Sequence, residues 1–212
     1  SLRVSESASQ RSGESANLRS VIRNPQFAIL VLAVGLLAGG LIWRRPLLGL
    51  VFSNLGTVHQ TRAELSVYNW PQYPIQDAVR RQHRDSLAPA VAEFRRALAW
   101  DAGNVAANQR LGQLQLAWAE YAPALAHLQT AWGGANTQYP IPNTQYPIPN
   151  TPSALRQLLG EALIVNGQPD AGRALWSTVD NGQGQLGLRV WWYTTIGDEE
   201  RAEWVRQASE TR

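Results

Sequence analysis

The sequence predicts an all-α chain: one transmembrane helix followed by a short α-solenoid of helical hairpins. Two observations predict it. From Phe27 to Trp43 the chain carries 17 consecutive residues without a charge, roughly 26 Å of helix and near the lower limit for the hydrocarbon of a bilayer. Further on, Ala90, Phe94, Ala97 and Leu98 recur 34 residues later as Ala124, Leu128, Ala131 and Trp132, small on small and large on large. A fixed period of this length marks stacked units, each unable to bury its own face alone.

Taken in order, residues 1–20 form a Ser- and Arg-rich arm with too few apolar residues to offset chain entropy, and are expected to be disordered. Residues 21–45 form the expected span. Phe27 and Trp43 suit its two interfaces, and Arg23, Arg44 and Arg45 can reach headgroups. The run shows no polar stripe of the kind a core helix carries. Arg44–Arg45–Pro46 follows it rather than a small-x-small cleavage site, which argues against a removed signal peptide. Gly35 and Gly39, with Gly40 beside them and Ala28 on the same face, are candidates for helix association in the membrane, because small residues at that spacing let two helices approach closely. Arg3, Arg11, Arg19 and Arg23 precede the span, against Arg44, Arg45 and Arg62 beyond it, nearly a tie. Because Arg44 and Arg45 can serve as interfacial anchors, the arm is expected inside and the repeats outside, an extracytoplasmic domain on a single-pass protein.

Residues 46–69 form an expected juxtamembrane helix and linker. Pro46 suits a first helical turn, and Leu47, Leu48, Leu50, Val51, Phe52, Leu55 and Val58 predict a helix lying on the membrane or packed on a partner. The two prolines within residues 68–74 end it.

Residues 70–212 hold the repeats. The stretch between the two matched helices contains Leu111–Gly112, then Tyr121 before Ala124. This resembles the tetratricopeptide repeat, with a Leu-Gly pair in the first helix of each hairpin and, in the second, Ala, an aromatic residue four on and Ala three further on. The family often has proline after the second helix; Ala102 stands there, followed by Gly103–Asn104. Ile75, Ala78 and Val79 predict a first helix preceding the Ala90 helix. A third unit is expected from Leu159–Gly160 through Leu163, a Gly167 turn, Ala171, Trp176 and Val179. A fourth, degenerate unit runs from Leu186 through Trp191, Trp192, Tyr193 and Gly197 to Ala202 and Trp204. Between the second and third units, residues 136–152 contain Asn-Thr-Gln-Tyr-Pro-Ile-Pro twice in succession, which predicts a tandem duplication in an extended, polyproline-like loop. The resemblance implies a concave groove lined by the first helix of each pair. Its candidate partner-binding positions are Gln109, Gln113, Gln157 and Glu161.

Composition removes several function classes. The chain has no Cys and no Met, and all 19 of its basic residues are Arg. Thiolate metal sites and cysteine nucleophiles are excluded, as is a phosphate loop that needs Lys. Residues 1–45 carry six Arg and two Glu, whereas residues 46–212 carry 13 Arg and 14 acids. The larger part is close to neutral and offers no concentrated basic face for nucleic acid. His59, His83 and His127 have no helical metal spacing. His83-Arg84-Asp85 lacks the other elements of a kinase loop. Asp198, Glu199 and Glu200 read as a solvated helix start. No catalytic residue, metal or cofactor is expected, and the chain reads as something other than an enzyme.

The reading that follows is a membrane-anchored scaffold, a protein-interaction subunit of a bacterial membrane or envelope complex. Its partners are membrane lipid and proteins met through the groove or the transmembrane helix. A weaker resemblance links residues Asn17 to Arg81 to the C-terminal part of bacterial O-antigen ligase-like proteins. It implies an accessory part of an envelope polysaccharide polymerase whose catalytic region lies upstream, and it implies the same orientation, with the repeats outside.

Overall fold

The computed structural model describes residues 25–69, 72, 75–138 and 153–210. The arm at 1–20, the start of the expected span at 21–24 and residues 139–152 of the insertion lie outside the described residues. All regular structure among the described residues is helical: α1 Pro25–Val67, α2 Gln76–Gln82, a short 3₁₀ turn Asp85–Leu87, α3 Ala88–Trp100, α4 Val105–Ala117, α5 Tyr121–Gln138, α6 Ser153–Val165, α7 Pro169–Trp176, α8 Gly182–Thr195 and α9 Glu199–Glu210. Helix α5 reaches Gln138, so the first three residues of the duplicated segment are helical rather than extended.

By its contacts the chain divides after Arg45 into two units. In the first, residues of α1 from Ile29 to Trp43 expose apolar side chains on all sides, Leu36 and Leu37 at 68% each. No single helix among the described residues is long and apolar enough to cross a membrane. Ala28–Leu41 and Trp43–Val67 reach that length and composition only together, as a bent pair. Pro46 therefore does not begin a new helix but lies inside α1. The break at residue 42 stands four residues before it, where a proline ring crowds the preceding carbonyl and supplies no N–H to it.

In the second unit, the rest of α1 buries one stripe: Gly49, Ser53, Gly56 and Gln60, flanked by half-buried Phe52, Ala63 and Glu64. The stripe is narrow and small, so another helix lies close. A Cβ on Gly56 would stand 2.6 Å from the Phe94 ring and 3.2 Å from the Ala90 carbonyl oxygen; one on Gly49 would stand 2.8 Å from Asp101 Cβ. The helix crossing Ala90 and Phe94 is thus α1, where the sequence pointed to residues 75–79. Helix α2 packs on α4 instead.

The same crossing recurs down the chain. A Cβ on Gly112 of α4 would stand 2.5 Å from Leu128 Cγ and 3.2 Å from the Ala124 oxygen of α5. Gly160 of α6 meets Trp176 and the Gly172 oxygen of α7 in the same way. The small residue opposite Gly160 is therefore Gly172, which is buried, and not Ala171, which is exposed. Gly160 follows Gly112 by 48 residues, 14 more than the repeat period, and 14 is the length of the two heptapeptides.

The turns within the last three hairpins share one geometry. Ala119, Gly167 and Gly197 all have positive φ, at 61°, 78° and 77°. The following residue's N–H closes back across each turn: Glu120 to Gln115, Gln168 to Leu163 and Asp198 to Tyr193, at 2.8, 2.9 and 2.9 Å. This is the left-handed helix end in which glycine is favoured because it has no Cβ. Two apolar clusters result. One centres on Leu87, Phe94, Leu111 and Leu114. The larger one gathers Leu128, Leu155, Ile164, Trp176, Trp192, Tyr193 and Val205, with Ile75 and Ala78 of α2 packed against it.

Candidate functional site

The four groove positions expected from sequence do not share one fate. Gln109 and Gln113 on α4 and Gln157 on α6 are half-buried, each keeping part of its surface in water. Glu161 is only 3% exposed. It accepts a 2.7 Å hydrogen bond from the Tyr193 hydroxyl and stands 3.1 Å from Arg189 Nε. It is a core carboxylate, because α8 lays Arg189 and Tyr193 over the stretch of α6 that an open groove would leave to solvent. Gly35 and Gly39 have nothing within 4 Å of an added Cβ, so that small face is unfilled within the described residues.

Glu161 belongs to an ion network that joins four helices. Arg189 of α8 also donates to Asp77 of α2. On the other side of Asp77, Arg80 Nη1 donates to it at 2.7 Å, and Arg80 Nε donates to Glu64 of α1 at 2.8 Å. Gln60 steadies Glu64 from one turn back at 2.7 Å, and Gln76 accepts from Arg80 at 2.9 Å. The backbone carbonyl of Arg80 accepts from the Trp118 indole at 2.9 Å. With Arg110 half-buried nearby, three carboxylates stand against three guanidinium groups. Charges at this depth persist only when paired and hydrogen-bonded.

The two inner carboxylates respond oppositely to this setting. Burial pushes the Glu161 carboxyl above the ordinary range; Arg189 pulls it down without overcoming that rise, and Asp77 adds to it. Burial also acts on Asp77, but Arg189 and Arg80 together outweigh it and hold its carboxyl below the ordinary value. The Tyr193 hydroxyl is raised by burial and by Glu161, so it stays protonated and donates. Arg110 is lowered, first by burial and then by Arg80. The network ties α1, α2, α6 and α8 to one another through charged side chains.

A second junction ties α5 to the last hairpin. The Tyr121 hydroxyl donates to Asp198, which also accepts from the Arg201 N–H at 3.3 Å. Arg201 lies over the Tyr121 and Trp204 rings, 5.3 and 4.8 Å from their centroids. Asp198 is therefore a cap and tether, while Glu199 and Glu200 are exposed as the sequence suggested. His127 Nδ1 lies 2.8 Å from the Asn108 side-chain oxygen, an ordinary helix-to-helix bond. No group of three or more His, Asp or Glu among the described residues has metal-binding geometry.

Sequence reasoning missed two features of this region. Leu55–Gly56 is a further Leu-Gly pair that packs as Leu111–Gly112 and Leu159–Gly160 do. It went unread because Ala90 follows Gly56 by 34 residues, whereas Ala124 follows Gly112 by 12. The ion network had no local signal, since Asp77 and Arg189 are 112 positions apart. Compared with known proteins, the chain matches no family model, no curated protein and no solved structure.

Proposed function

We propose that this chain is a membrane-anchored interaction subunit: a tetratricopeptide-like array of helical hairpins, held at a membrane by the apolar run Phe27–Trp43, that positions a protein partner in a bacterial envelope complex. The observation that carries the reading is the recurrent crossing, Gly56 on Phe94, Gly112 on Leu128 and Gly160 on Trp176. Repeat proteins built on one repeated contact use an extended surface for binding. Partner contact falls to Gln109, Gln113 and Gln157, which stay partly exposed, while Glu161 serves the core.

The test is photo-crosslinking in intact cells from the full chain, with the crosslinker placed in turn at Gln109, Gln113 and Gln157. One discrete adduct common to these positions, and missing from the exposed control Arg95, is the expected result. Absence of an adduct at all three overturns the groove assignment. Release of the chain by alkaline carbonate overturns the anchor.

A further inference from the structure

Between Pro46 and Val67, α1 has two opposite faces. The small one, Gly49, Ser53 and Gly56, is buried against α3. The other carries Leu47 at 54% exposure, Val51 at 57%, Val58 at 61% and Leu65 at 69%, with Leu50 and Leu55 beside them at 52% and 40%. From Leu47 to Val58 these positions recur every three or four residues, and Leu65 follows two turns later, past Thr61 and Arg62, so the face is a strip about 27 Å long at the helical rise. A repeat array normally ends in a polar outer face, because no further unit covers it. Here the outer face of the first crossing helix is apolar.

The charges around the strip identify what covers it. Between Glu14 and Glu64 the sequence has no acidic residue, while Arg19, Arg23, Arg44, Arg45 and Arg62 fall in that interval. Glu64 itself is turned to the opposite face, where it accepts from Arg80. Arg62 is exposed and stands one turn after Val58. Asn54 and Thr61, also exposed, lie on the same face between Leu50 and Leu47 around the helix and add two polar positions to it. An exposed apolar face that carries Arg62 matches a surface that offers hydrocarbon beneath a layer of negative headgroups. In the anchored reading, the Phe27–Trp43 run holds the chain at such a surface.

We propose that the strip formed by Leu47, Leu50, Val51, Leu55, Val58 and Leu65 lies in the headgroup–acyl boundary of an anionic lipid leaflet. It seats the repeat array directly on the membrane. The inference rests on the anchored reading given above, and its test keeps the two apart. Because the chain has no cysteine, single substitutions Leu36→Cys, Val51→Cys, Val58→Cys and Ala99→Cys each give one attachment point for an environment-sensitive fluorophore. All four positions are exposed, so the fold should tolerate them, and far-UV circular dichroism checks each variant. The full chain is reconstituted into vesicles of phosphatidylcholine with phosphatidylglycerol, some carrying a quencher on the acyl chains.

The expected result is quenching at Leu36, Val51 and Val58 and none at Ala99 on α3. Arg62→Gln should lower the docked population about fivefold, as expected for one surface cation. Quenching at Leu36 alone overturns the docked strip and leaves the anchor standing. No quenching at Leu36 overturns both. Disulfide formation on oxidation of unlabelled Val58→Cys chains, together with labels on the labelled chains that are shielded from water but unquenched, overturns the lipid assignment in favour of a second copy. Shielding without quenching or disulfide overturns it in favour of a protein partner.

Discussion

The α4/α5 hairpin and the α8/α9 hairpin are built on the same turn and differ in the buried charge that the second one adds to its packing. Both turn on a left-handed residue, Ala119 in one and Gly197 in the other, and both close the same backbone bond across it. In α4/α5 the two helices touch through Gly112, and the contact is steric, between Leu128 and the backbone. In α8/α9 the helices also share apolar packing, through Trp192, Tyr193 and Val205, but α8 adds polar partners in other helices, Arg189 on Asp77 and Glu161 and Tyr193 on Glu161. Close packing is short-ranged and fixes neighbours in sequence. A buried ion pair fixes elements far apart in sequence, and it does so at the cost of desolvating charges.

The comparison breaks hardest at Arg189. Arg189→Ala leaves Asp77 with Arg80 alone and Glu161 with only the Tyr193 hydroxyl. Such removal of one partner from a buried pair typically costs about 3–5 kcal/mol. A melting temperature equal to that of the parent chain would show that α8 is held by its apolar contacts instead. Gly112→Leu is next. Its side chain would meet Leu128 at a crossing already closed to a methyl group, and overpacking of that kind costs about 1–3 kcal/mol. A chemical denaturation midpoint that does not move would place Gly112 away from the crossing.

Glu161→Gln sharpens the electrostatic half. The folded state holds the Glu161 proton more tightly than the unfolded chain does, because burial raises its carboxyl. The stabilising contribution of that group is full below its ordinary value and is lost as pH rises through the raised one. The parent chain should therefore lose stability relative to the Gln variant as pH climbs out of the acidic range, where Asp77, whose carboxyl is lowered, contributes in the opposite direction. Thermal melts of both chains across that range test the sign; a gap that widens in favour of the parent with rising pH contradicts it. The smallest change is Ala119→Gly. Alanine with φ at 61° is strained where its equivalents are glycine, so the substitution should raise stability by about 0.5–1 kcal/mol. An unchanged or lower denaturation midpoint would mean that the turn tolerates the methyl group without strain.

What the sequence carried was whatever local pattern encodes. Helix content, the pairing of Ala90, Phe94 and Ala97 with Ala124, Leu128 and Ala131, and the close approach at Gly112 were legible. Each depends on residues within one or two turns, or on a period repeated along the chain. Gly56 was partly legible, since its Leu-Gly pair was visible, but its partner helix lay beyond the usual spacing. Tertiary structure alone decided that α2 leaves the first crossing to α1, that Glu161 belongs to the core, and that Asp77, Arg80, Glu64 and Arg189 meet. The physical reason is the range of the interactions. A helix face is set by a 3.6-residue period that the sequence displays. An ion pair between α2 and α8 is set by where the intervening helices bring two charges, and no residue near Asp77 or near Arg189 announces the other.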